Sequence, residues 1–433
     1  MALSATSAGL WTDADIIDYL QRNKTKIPEG LLPDLASPSI HYFSDSNMNQ
    51  VALVSDDTRS IIVKHAPPFV RIVGPSWPIS TARNSLEAQY LKEVSVHLPG
   101  SVPAVYLCDE NTMVMEAIHG YESARYALIA GKKLPLLGRH IGHFVAHMSY
   151  KTSAFSLSET ELAAAAARYI NPDPCKITND LFFTDPYIYG APSNKFSSPL
   201  CLQVMALAGD VALKIEVAAL QHKFNHCQEA LIHGDLHTGS LLTNEDSTKI
   251  LDGEFAWYGP VGFDLGVFIA NLVVNYLAHF GLSSDDAVRK DYQAYLLTQI
   301  QDTWQTFAQE FTALVGTNSE RATSFLTSTW YDTLGYAGTE CIRRVSGLAQ
   351  NKDVHDIQNF AQRVGVEKAI LDLGCTLIKS RFDLENCTAL NALVAASTPV
   401  IITPHMAHCF LEADELRVAI GCYEAAAGSP QKY

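Results

Sequence analysis

The string HGDLHTGS at 233–240 sets Asp235 between two histidines, directly after the apolar run at 230–232. A second acidic pair, Asp252 and Glu254, follows another apolar run at 249–251. Phosphoryl transfer needs this combination. One carboxylate orients the acceptor hydroxyl and takes its proton, and others hold Mg²⁺ against the phosphates. Asp235 suits the first task, Asp252 and Glu254 the second. A hairpin-like return of the two apolar strands brings both clusters to one sheet edge. Ser240 stands where related catalytic loops carry a metal-binding Asn, and a hydroxyl is the poorer ligand there. Two other readings compete. His233 and His237 in H-x-D-x-H suit the metal set of a hydrolase, although nothing else in the chain completes it. Asp235 alone also suits a turn after a buried strand. The D-x-E that follows favours phosphate transfer.

The N-terminal third supplies matching parts. Lys64 ends the apolar run Ile61, Ile62, Val63, where a strand-borne lysine reaches the α/β-phosphates. Glu87, on the next helical stretch, is placed to pair with it; solvated surface roles are the alternative for both. The turn at 45–50 occupies the position of a phosphate-covering loop but contains no glycine. Asn47 and Asn49 can still adopt turn conformations there and offer backbone N–H groups.

The elements that must position these groups are legible in outline. Thr12 caps a helix expected at 13–21. Strands are expected at 40–43, 51–54 and 60–64, joined by polar turns as a meander, then at 104–107 and 112–116, with a helix at 81–96 between. After about residue 118 the spacing turns helical: 123–130, 134–150, 159–169, 202–227, 263–280, 292–311, 323–350 and 366–382, with strands at 230–233 and 248–251. A last helix is expected at 411–427. The expected class is α+β: a small β-rich N-lobe at 1–118, a strand-like hinge at 115–118 and a large, mainly helical C-lobe at 119–433.

Composition narrows the function classes. A chain of 433 residues with 48% apolar residues can build a large core across two lobes. A net charge of -15 opposes nucleic acid and anionic membranes as partners. The nine cysteines are scattered and form no C-x-x-C pair, which suits a reduced cytoplasmic protein. No basic region followed by an apolar stretch marks a signal peptide at 1–9. The apolar segment at 265–278 contains Asn271 and Asn275 and is expected to be a buried helix rather than a membrane span.

Several longer strings carry a family resemblance: HGDLHTGS at 233–240, DGEFAWYGP at 252–260 with Gly262 and Asp264 after it, VGPSWP at 73–78, FTDPY at 183–187 and GYAGTECIRR at 335–344. Together they resemble the 5-methylthioribose kinases, within the wider aminoglycoside-phosphotransferase and choline-kinase-like group. The likeness runs over roughly 13–393. It implies a bilobal, protein-kinase-like fold and transfer of the γ-phosphate of ATP, with Mg²⁺, to the anomeric hydroxyl of 5-methylthioribose in methionine salvage. It also implies a cytoplasmic homodimer. By the same resemblance Trp77, His237, Glu116 and Ile118 lie on the nucleotide side, the adenine being read by backbone groups at 116–118. Arg343 and Arg344 approach the sugar and the transferred phosphate. Adjacent helical residues sit about 100° apart, so one arginine is expected at the site while the other braces it or pairs with an acid.

Three departures from the family pattern stand out. Ser44 and Ser46 replace loop glycines, which stiffens the loop. Gly253 stands between the two acids, where relatives often carry proline. Ala117 replaces an acidic hinge residue. Two further functions compete: a kinase of another small sugar or alcohol, and an inactive kinase-like binding protein.

Overall fold

The structure, a computed structural model, describes residues 9–400. The helix expected at 411–427 lies outside the described residues, as do Cys409 and Cys422. The strands are β1 Ser39–Phe43, β2 Gln50–Ser55, β3 Ser60–His65, β4 Val105–Cys108, β5 Thr112–Glu116, β6 Glu122–Ser123, β7 Ala230–Ile232, β8 Leu241–Thr243, β9 Thr248–Ile250 and β10 Trp257–Gly259. The first helices are α1 Asp13–Asn23, α2 Ala82–His97, α3 Ala124–Ile129, α4 Leu137–Lys151, α5 Glu159–Ala167, α6 Pro172–Thr178, α7 Cys201–Gly209 and α8 Val211–His226. The remainder are α9 Val261–Leu282, α10 Asp286–Val315, α11 Glu320–Ser346, α12 Lys352–His355, α13 Phe360–Lys379 and α14 Cys387–Ala396. Packing divides the chain into two units. The first holds residues up to Ala124 with Phe144–Lys176 and Gln228–Gly259; the second holds Arg125–His143, Ile177–Cys227 and the chain from Pro260 onward.

In the first unit an antiparallel sheet runs β1-β2-β3-β5-β4. Thr12 caps α1 with a capping box: Asp15 N–H donates to Thr12 Oγ1 and Thr12 N–H to Asp15 Oδ2. Ile16, Tyr19 and Leu20 of α1 pack with Ala52, Val54, Ile61, Val63 and Val114 on one face of the sheet. Side chains alternate along a strand, so Lys64, next to Val63, projects from the other face, where α2 packs on β4 and β5.

The returns around the second acidic pair differ from the expected hairpin. β7 pairs with β10, while β8 pairs with β9 and with β6. Strand β10 was not evident in the sequence because its Trp-Tyr-Gly is too short to show alternation.

The second unit is helical. The 22-residue α9 is longer than the stretch expected from sequence and apolar enough to cross a membrane, yet its apolar window is entirely buried. It packs on α10, α11 and α13. α11 and α13 approach closely at paired glycines: a Cβ on Gly338 would stand 2.6 Å from Gly374 O, and one on Gly374 2.9 Å from Gly338 O. The single helix expected at 202–227 is broken, because Asp210 leaves the helical region (ψ 96) and its side chain caps α8 by accepting from Leu213 N–H.

Candidate active site

Lys64 is 1% exposed and donates from Nζ to Glu87 Oε1 at 2.8 Å and to Asp252 Oδ1 at 2.7 Å. The ion pair with Glu87 expected from the sequence is therefore present, and Asp252 is joined to it. Burial opposes the charge on Lys64, but the facing carboxylates outweigh it and hold the ammonium protonated. Partial desolvation by the surrounding protein opposes ionisation of Asp252, whose carboxyl the Lys64 charge nevertheless keeps low. Burial pushes the Glu87 and Glu254 carboxyls up. The two acids of the D-x-E differ in setting. The Asp252 side chain is 48% exposed and that of Glu254 9%. Glu254 Oε2 accepts from Asn49 Nδ2 at 2.6 Å and lies 3.6 Å from Arg83 Nε. Asn171 Nδ2 holds the carbonyls of Glu254 and Ala256.

One face of α2 meets this whole segment. Arg83, Glu87 and Tyr90 are spaced i, i+4, i+7 and share a stripe of the helix. Arg83 reaches Glu254, Glu87 reaches Asp252 through Lys64, and the Tyr90 ring lies against Gly253. A Cβ on Gly253 would stand 2.2 Å from Tyr90 Cδ1, so this glycine answers a need for space rather than for looseness. Sequence reasoning missed Arg83 and Tyr90, since a charge and an aromatic on an amphipathic helix carry no motif.

The loop at 233–240 is fixed by its first histidine. His233 Nδ1 accepts from Asp235 N–H at 3.2 Å, and Nε2 donates to Leu251 O at 2.6 Å. Both ring nitrogens are thus committed to backbone, which removes His233 as a metal ligand. The imidazole also ties the Asp235 turn to the residue preceding Asp252, the task the hairpin was expected to perform. Gly234 has φ +80, and a Cβ there would stand 2.3 Å from Phe255 O. Asp235 Oδ2 lies 3.4 Å from His237 Nε2, and its side chain is 25% exposed. His237 Nδ1 accepts from Ser240 N–H, so its proton resides on Nε2, the atom beside Asp235. Ser240 is 2% exposed, and its hydroxyl turns to Asp235 O and His237 Nδ1; it builds the turn rather than a metal site.

The remaining expected residues fall into three settings. Asn49 is fully buried and acts through its side chain on Glu254 and Arg83, whereas Asn47 is exposed in the β1–β2 loop. Trp77 closes a tight loop, with Val70 N–H donating to Trp77 O and Trp77 N–H to Gly74 O. Glu116 turns its carboxylate to Ala104 N–H while its own N–H donates to Ala104 O, so its side chain fastens the approach to β4; Ile118 follows it, partly exposed.

In the second unit Arg343 and Arg344 both pair with an acid. Both donate from Nε to Glu340, one turn earlier on α11: Arg343 to Oε2, Arg344 to Oε1 at 2.7 Å. Long side chains bend across the angle between adjacent helical positions. Asn271 Nδ2 also donates to Glu340 Oε1, and the Arg343 guanidinium lies 3.7 Å from the Phe182 ring centroid. The two buried guanidinia thus share Glu340.

The donor set of the first unit fits a nucleotide with Mg²⁺. Asp252 presents a half-exposed carboxylate whose Oδ1 alone is engaged by Lys64, and hard oxygen donors suit Mg²⁺. Lys64 is a charged donor beside it.

Residues 39–308 match the family described as "Phosphotransferase enzyme family". The chain is 40% identical over 349 residues to a methylthioribose kinase of Bacillus cereus (strain G9842), covering 78% of this chain and 86% of that one. It is 39% identical over 360 residues to one from Bacillus thuringiensis subsp. konkukian (strain 97-27), covering 81% and 89%. Among solved structures, a Plasmodium vivax ethanolamine kinase aligns at 12% identity and TM-score 0.45, covering 86% of this chain and 91% of that one. A glucosamine kinase in complex with glucosamine, ADP and inorganic phosphate aligns at 13% and 0.45, covering 86% and 84%.

Proposed function

Because this chain belongs to the phosphotransferase enzyme family and, within it, to the methylthioribose kinases, it is a small-molecule kinase, and we propose that it moves the γ-phosphate of ATP onto the anomeric hydroxyl of 5-methylthioribose. The observation that carries this reading is Lys64, bonded at once to Glu87 and Asp252 beside the Asp235 turn. In this reading Asp235 accepts the hydroxyl proton. The oxygen forms a bond to the γ-phosphorus as the bond to the β–γ bridging oxygen breaks, and ADP leaves with that electron pair. An anomeric hydroxyl is more acidic than an ordinary alcohol, so a carboxylate base is adequate. His237 Nε2–H keeps the Asp235 carboxylate oriented. Lys64 would meet the α/β-phosphates, and Asp252, with Glu254, would hold Mg²⁺, which when bound would neutralise charge on the phosphate oxygens. The β1–β2 loop with Asn47, the Trp77 loop and the backbone at 116–118 complete the nucleotide side; Arg343 and Arg344 serve the sugar. The chain is proposed to act in the cytoplasm, as a homodimer, in methionine salvage.

Asp235→Asn tests the base. Transfer should fall about 10²–10⁴-fold, the usual contribution of a positioned base, with Mg·ATP affinity kept within several-fold. Near-normal turnover would remove Asp235 from the chemistry.

A further inference from the structure

The β1–β2 loop lacks the glycines that let such turns shape themselves around phosphate, yet its backbone is held in detail. Arg71 donates from Nη2 to Ser44 O at 2.6 Å and from Nε to Ser46 O at 2.6 Å. Ile72 N–H donates to Asn47 O at 3.1 Å. From the other side Arg83, 1% exposed, donates to Met48 O at 3.2 Å and Asn49 Oδ1 at 3.0 Å; Pro67 O and Ser80 O, both at 2.8 Å, fix the guanidinium itself. The carbonyls of Ser44, Ser46, Asn47 and Met48 are therefore each taken by a donor from outside the loop. A carbonyl turned toward a phosphate repels it, whereas successive N–H groups attract it. With these four carbonyls engaged, the backbone polarity this loop has left for an anion is mainly N–H.

We infer that Arg71 and Arg83 are positioning residues that replace glycine in this chain: two guanidinium forks fix the loop in a preset phosphate-receiving form. Arg71 comes from the segment that leads into the Trp77 loop, so the two loops are set together. The inference rests on the nucleotide reading of the β1–β2 loop given above.

Arg71 is the testable member, being only partly buried. Calorimetry with the full-length protein would compare Mg·ATP with adenosine, which lacks phosphates. Arg71→Ala should weaken Mg·ATP about tenfold or more, the worth of two charge-assisted bonds, and leave adenosine within about twofold. Arg71→Lys keeps the charge without the fork and should also weaken Mg·ATP. Equal weakening of both ligands, unchanged Mg·ATP affinity in Arg71→Ala, or full recovery by lysine would each overturn the inference. Absence of Mg·ATP binding by the wild-type chain would instead strike the nucleotide reading, and this inference with it.

Discussion

A Cβ on Gly253 would stand 2.2 Å from Cδ1 and 2.8 Å from Cε1 of Tyr90, a ring that is fully buried and meets His233 edge-on at 5.7 Å. Neither partner can yield without moving the other. Gly253→Ala should therefore cost about 1–3 kcal/mol as overpacking, read from denaturant unfolding, and Tyr90→Leu in the same chain should recover part of it by removing the ring. Unchanged stability in the single variant would mean that α2 does not seat on this turn. Asp235, Asp252 and Lys64 were legible in the sequence because the H-G-D string, the D-x-E that follows it and a strand-end lysine occur in one chain, where each alone suits a turn or a surface. Arg83 and Tyr90 were not, because a helix displays charged and aromatic residues as a matter of course. The burial of Arg83, with its acceptors contributed by loops distant in sequence, exists only in the fold. Ser240, at a position where a hydroxyl is the poorer metal ligand, turns its hydroxyl to the loop itself.

α2 and α11 each bring their functional residues together by helical spacing. On α2, Arg83, Glu87 and Tyr90 address Glu254, Asp252 and Gly253, so displacement of the helix would disturb the 252–254 segment as a whole. On α11, Glu340 clamps both arginines. Glu340→Ala leaves two buried guanidinia without their shared carboxylate and should destabilise the protein by about 3–5 kcal/mol, measured by denaturant unfolding. Arg344→Ala should raise KM for methylthioribose on the order of tenfold while KM for ATP stays within about twofold; equal effects on both would assign Arg344 a structural role. Element existence was readable from periodicity: the meander, α2, α9 and α11 stand within a few residues of expectation, while α10 and α13 begin six residues earlier. Connection was harder to read. The β7–β10 pairing and the break at Asp210 depend on a three-residue strand and one capping side chain, signals too short for a period to register.

For the molecule as a whole, buried neutral histidines set a limit on acid tolerance. His279, 3% exposed, donates from Nε2 to Leu128 O at 2.9 Å and bonds through Nδ1 to the Ser283 hydroxyl at 2.8 Å. Burial lowers its pKa below 6.5 in the folded chain. The unfolded chain binds that proton first, so this contribution to stability is lost as pH falls through 6.5 toward the folded value. The melting temperature should decline over that range, and His279→Gln should make the decline shallower; identical slopes would acquit this residue. The α+β class and the phosphotransfer chemistry were both apparent in the sequence, since motif and apolar period are local properties. The acceptor was apparent only through family strings, since the residues that receive a sugar carry no spacing rule of their own. The acceptor is accordingly where measurement bears hardest. Phosphorus NMR of wild-type protein incubated with Mg·ATP and 5-methylthioribose should show ADP and a sugar 1-phosphate rising in equal amounts, with neither formed by Asp235→Asn. ATP left intact in the presence of the sugar, or phosphate appearing on another hydroxyl, would contradict the assignment.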